Sequence, residues 1–257
     1  MIRIALVEYI NTRPFLDGLV GHFHSEEVDL LLLPPMDCAR ALQEGRADLA
    51  LMPVGALTNF DQVDMLPDFC IGADGPVHSV FLFAQRPVAE LKEIRLDPHS
   101  RSSNGLLRIL MQHHWQHQVH YHMPNSRDFS LIQDSVGGVA IGDEAIKIRN
   151  RYKYVYDLSA NWQDLTGLPF AFAVWVHRRG ALSDTQRQRI FRALQQGVAQ
   201  RQETALRWHQ YFGLEREFSL RYLTEYIDYQ FTPAKHRAVQ LYLRNLRRLP
   251  QLALQAV

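Results

Sequence analysis

Residues 96 to 110 read LDPHSRSSNGLLRIL, and the polar run from Ser100 to Asn104 opens an amphipathic helical pattern. Backbone N–H groups at a helix start, joined by the hydroxyls of Ser102 and Ser103, form a natural receptor for a carboxylate. Read from spacing alone, Ser100 or Ser102 does no more than cap the helix, and Arg101 points away. Asn11 stands in Asn11-Thr12-Arg13-Pro14 just after the first apolar run, where its amide either makes a turn or faces a ligand. Pro53-Val54-Gly55 closes another apolar run. Ser79 begins a long one, with a hydroxyl that either reaches a cleft or bonds to backbone. Asp143, in IGDEAI, is placed to cap the following helix, with ligand contact as the alternative.

The run HHWQHQVHYH carries His113 and His117 four apart on a predicted helix, then His120 and His122 alternating on a strand. That spacing makes a metal site conceivable. No cysteine or carboxylate lies within the run, and its histidines sit beyond the helix body, so a surface cluster without metal is the expectation.

The elements that must position these residues alternate. IRIALVEY, a Pro14-led helix, VDLLLL, DCARALQEG and DLALMP follow one another, as in a parallel sheet with crossover helices. Ligands in such sheets bind beyond the carboxyl ends of strands, which is where Asn11 and Pro53 stand. HSVFLFAQRP begins a second α/β set: EIRLD, a helix from about Ser102, QVHYH, a helix near Phe129, VGGVAIG, a helix near Ala145 and KYVYDL. LPFAFAVWVHRR is another long apolar strand, and everything after it reads as helical. The middle segment therefore looks like an insertion between two long strands, giving one lobe from 1–84 plus 175–257 and another from 85–174. In the tail, Ser183 and Asp184 can cap a helix carrying Ile190, Leu194 and Val198, and Thr232-Pro233 starts another. Arg244, Arg247 and Arg248 near the end suit a helix C-terminus on a solvated face.

The chain has 257 residues, 47% of them hydrophobic, enough for two ordinary cores. Lys plus Arg number 28 against 27 Asp plus Glu, so no broad field draws in nucleic acid or a membrane, and an anion must be caught locally. Cys38 and Cys70 are too few for a disulfide framework and read as reduced core residues. No run approaches the ~20 apolar residues of a spanning helix, and the N-terminus lacks a secretory pattern, so the expected location is cytoplasmic.

The ordered set YINTRPF (9–15), ALQEGRADLALMPVGAL (41–57), GPVHSVFLF (75–83), LDPHSRSSNGLLRIL (96–110), IGDEAI (141–146) and YDLSANWQDLTGLPFAFAVW (156–175) resembles the MqnA family. These are the chorismate dehydratases of the futalosine route to menaquinone. The sequence departs from the family at Glu8, where a small residue is usual, and at Ser102, where the family has threonine.

The resemblance implies a periplasmic-binding-protein-like, type II α/β fold, two lobes closing on a ligand and joined by two crossover strands. It implies chorismate as the small-molecule partner and 3-[(1-carboxyvinyl)oxy]benzoate as product. Because loss of water makes the ring aromatic, no cofactor or metal is required. In the family the matching asparagine faces the substrate, so the resemblance gives Asn11 and Ser79 catalytic positions and sets Pro53, Ser102, Ser103 and Asp143 around the substrate. No protein base is evident, and removal of the ring proton by the substrate's own enolpyruvyl carboxylate fits that gap. A sister 1,4-dihydroxy-6-naphthoate synthase of the MqnD type and a non-catalytic solute-binding or sensor module are the alternatives.

Overall fold

A computed structural model of the protein describes residues 1–251. The chain opens with β1 (Ile2–Val7), α1 (Arg13–His22), β2 (Val28–Leu33), α2 (Pro35–Gln43), β3 (Leu49–Pro53) and β4 (Val63–Ala73). A second set follows: β5 (Val80–Ala84), β6 (Glu93–Arg95), α3 (Arg101–His113), β7 (His120–His122), β8 (Val136–Ile141), α4 (Gly142–Ile148), β9 (Tyr154–Asp157) and α5 (Leu158–Thr166). The return consists of β10 (Phe170–Arg178), α6 (Asp184–Ala199), α7 (Arg201–Trp208), α8 (Arg216–Arg221), β11 (Asp228–Gln230) and α9 (Pro233–Arg248).

Two sheets result, ordered β11-β4-β10-β3-β1-β2 and β7-β6-β8-β5-β9. Each holds one antiparallel strand in its interior: β10 lies between β3 and β4, and β5 lies between β8 and β9. β3 and β5 are buried at every position, because each is flanked by strands and covered on both faces. This is the two-lobed architecture expected from the sequence.

The lobe boundaries need correction. β5 pairs only in the second sheet and β10 only in the first, so neither strand spans the lobes and the chain crosses before each of them. Residues 80–84 thus leave the first lobe, and 170–174 join it. Uniform apolarity marks a buried strand without saying which sheet buries it. The first crossing, at 74–79, holds Gly75 at φ 111° and His78 at φ 57°, a conformation that costs a non-glycine residue energy. The tail also departs from the all-helical expectation, since β11 adds to the edge of the first sheet along β4.

The helix starts follow local chemistry. Ser183 and Gln186 form a reciprocal capping box on α6, and Thr232 caps α9 by accepting from the Lys235 N–H. α9 packs against both β10 and α3, so the last helix links the lobes. Among the described residues no helix is long and apolar enough to cross a membrane.

Candidate functional site between the lobes

Asn11, Pro53, Ser79, Ser102 and Ser103 line one cavity between the two sheets. They arrive from four separate chain segments. Asn11 sits in the short 3₁₀ turn joining β1 to α1, where Thr12 locks the backbone by donating its hydroxyl to the Tyr9 and Val7 carbonyls. Pro53 ends β3, and Ser79 ends the first crossing. The cavity holds about 70 Å³, and its walls are largely apolar, including Val7, Ile71 and Phe172.

Asn11 is held from both ends. Its Nδ2 donates to the Tyr222 phenol at 3.1 Å, and its backbone carbonyl accepts from the Tyr229 hydroxyl at 3.0 Å. Ser79 is 2% exposed, and its backbone carbonyl accepts from the Gly142 N–H. Tyr222 and Tyr229 escape sequence reasoning because tyrosines in a helical tail look like core. Complete burial drives both phenol pKa values upward, so both stay neutral donors and acceptors.

The opening of α3 divides its roles among its serines. Ser100 caps the helix, accepting from the Ser103 N–H at 3.2 Å, so the simpler reading holds for that residue. Ser102 accepts from the Gly55 N–H at 3.0 Å and donates to the Phe172 carbonyl at 3.1 Å, which commits its proton to the lobe contact. Gly55 also covers the helix start: a Cβ there would stand 3.1 Å from the Ser102 nitrogen. Ser103 lines the cavity, and its hydroxyl has no hydrogen-bond partner among the described residues. The carboxylate receptor read from the sequence therefore narrows to Ser103. Arg101 points away, donating to Thr58 and Asn59. Asn104 pairs with the Asp97 backbone through both ends of its amide and braces the turn.

Asp143 corrects the capping expectation. Gly142, at φ 70°, carries the chain into α4 so that Asp143 falls inside the first turn, and both its oxygens face the Ile10 N–H at 3.4 Å. It thus touches the first lobe one residue before Asn11, behind the cavity wall instead of within it. Burial pushes its carboxyl up to about 7, against the pull of the Ile10 N–H, Lys147 and Arg13. Glu8 faces outward, beside Arg13 and Tyr211.

The histidine run lies far from this cleft, on the outer edge of the second sheet. His117 Nε2 bonds the Leu91 carbonyl at 2.7 Å, and among the described residues no group of three metal-ligating side chains converges. Within the cavity lining, Tyr9 is the titratable side chain. Such a site can orient and hydrogen-bond a ligand; among the described residues it has no carboxylate, imidazole or amine in its walls with which to take a proton.

A type II periplasmic-binding-protein fold with a buried, amide- and hydroxyl-lined cleft is the class this architecture defines. A Candida albicans gene product described as having the generic periplasmic binding protein fold matches 98% of this chain and 91% of its own, with TM-score 0.70 and 12% identity. A protein of Archaeoglobus fulgidus covers 96% of both chains with TM-score 0.78 and 18% identity. The family model described as menaquinone biosynthesis matches residues 2–248, and the chain belongs to that family. A chorismate dehydratase of Thermus thermophilus is 29% identical over 195 residues, 68% of this chain and 69% of that protein.

Proposed function

We propose that the protein is a cofactor-independent hydro-lyase that dehydrates chorismate to 3-[(1-carboxyvinyl)oxy]benzoate. The observation that carries this reading is the convergence of Asn11 and Ser79 in a cavity whose walls supply no proton acceptor stronger than a phenol. A dehydration that ends in an aromatic ring suits such a site, because the product's aromaticity provides the drive and the protein has only to place the reacting groups.

In the proposed reaction the enolpyruvyl carboxylate removes the ring proton on the carbon bearing the ether. The C–H electron pair becomes a ring double bond, the neighbouring C–O bond breaks, and the hydroxyl leaves as water with that proton. Asn11 donates to the departing oxygen, Ser79 holds the reacting end and Ser103 receives the ring carboxylate. A donor aimed at charge developing in the transition state gains most in a dry, apolar enclosure.

Purified protein mixed with chorismate should yield a product lighter by one water, and exhaustive chelation should leave the rate unchanged. Binding with no product would make this a solute-binding protein, and loss of activity on chelation, restored by one metal, would overturn the cofactor-free reading.

A further inference from the structure

Tyr222 has an unusual seat. It begins a π-helical turn, Tyr222–Tyr226, directly after α8, is fully buried, and stacks on Phe218 with ring centroids 5.7 Å apart. Single π turns inside helical segments recur at functional sites because the extra residue re-aims a side chain. Here the phenol oxygen is brought against Asn11 Nδ2.

We propose that Tyr222 is a positioning residue that sets the donor direction of Asn11: its phenol oxygen accepts from Asn11 Nδ2 and so fixes the plane of the amide. With one Nδ2 hydrogen held on Tyr222, the other is presented to the ligand. The tyrosine thereby converts a rotatable amide into a fixed donor without touching the substrate. This inference rests on the proposed role of Asn11.

The test is a double-mutant cycle on the full chain with chorismate as substrate. Tyr222→Phe keeps the ring and its stacking and removes only the oxygen. We expect kcat to fall about tenfold, the scale of one lost buried hydrogen bond, with KM changed less than about twofold. In an Asn11→Ala background the same substitution should add less than about twofold, because the group it orients is gone. Thermal melting of each variant separates a folding defect from this effect. Additive losses, or a lowered Tm with unchanged kcat, would overturn the inference while leaving the site reading intact. If Ser79→Ala and Asn11→Ala themselves leave kcat untouched, the site reading falls and takes the inference with it.

Discussion

Two neighbouring polar residues in the cleft should respond differently to truncation. In the proposed reaction Ser103 offers a hydroxyl to a group that is charged before and after reaction, so Ser103→Ala should weaken capture by roughly ten- to a hundredfold, the ~1.5–3 kcal/mol of a hydrogen bond to a charged group, with kcat changed less. In the same proposal Asn11 faces charge that develops only as the hydroxyl leaves, so Asn11→Ala should lower kcat by something approaching ~10²–10³. Steady-state kinetics with binding of a non-reacting analogue separates the two, and a raised KM with intact kcat in Asn11→Ala would reject its catalytic role. Asp143 makes a different prediction. Its carboxyl, raised by burial to about 7, keeps its proton in the fold at pH values where the unfolded chain has lost it. Stability should therefore fall by a few kcal/mol as pH rises from about 4 through about 7. Burial raises Asp97 and Asp157 in the same sense. Asp143→Asn cannot ionise and still offers an oxygen to the Ile10 N–H, so its melting temperature should exceed that of the parent at about pH 8 and lose part of the slope; parallel profiles would refute this. Asn11, Pro53 and Ser79 were legible because strand ends in an α/β fold form the cleft. Ser102 was legible as a site residue but not in its role, since a hydroxyl's partners depend on what folds against it. Tyr222 gave no signal, because a buried tyrosine in a helix has the same pattern whether it packs or positions.

The elements that carry these residues are fixed by close backbone approaches that sequence alone does not reveal. α1 starts two residues after Asn11 and crosses α6 where Gly18 faces Gly197. A methyl group at Gly197 would overlap the Pro14 carbonyl, and one at Gly18 would overlap the Ala193 carbonyl; neither neighbour is a side chain that can swing aside. Gly197→Ala should thus cost about 1–3 kcal/mol or more, read from the denaturant midpoint, and should lower turnover by shifting the helix that seats Asn11. An unchanged midpoint would mean that the two helices slide apart freely. The alternation of strands and helices could be read from period and length, and the caps at Ser183 and Thr232 from residue type. Glycine spacing across two helices 180 residues apart in sequence carries no such local signature. The membership of β5 and β10 was hidden for the related reason that a strand buried on both faces looks alike in either sheet.

At the scale of the whole molecule, the proposed function depends on the lobes parting. A cavity of about 70 Å³ is tight for a ring bearing two carboxylates. Substrate therefore enters when the contacts across the cleft release: Ser102 from Gly55, Asp143 from the Ile10 N–H, and the Arg127 guanidinium from the Tyr9 hydroxyl. A ligand can close the cleft only by as much as it prefers the closed form. Gly55→Ala tests this balance, because the added Cβ would lie 3.0 Å from the Tyr242 hydroxyl, 3.1 Å from the Ser102 nitrogen and 3.2 Å from the Arg101 carbonyl carbon. The last two atoms belong to the α3 backbone, so their relief requires the start of α3 to move away from the first lobe. That part of the strain, of order 1–3 kcal/mol, is borne by the closed form and subtracts from the ligand's preference for it. We expect the variant to melt near the parent temperature, to have a larger radius of gyration by small-angle X-ray scattering, and to show KM raised roughly tenfold. If the variant scatters like the parent and keeps its KM, closure onto Gly55 is not part of the catalytic cycle.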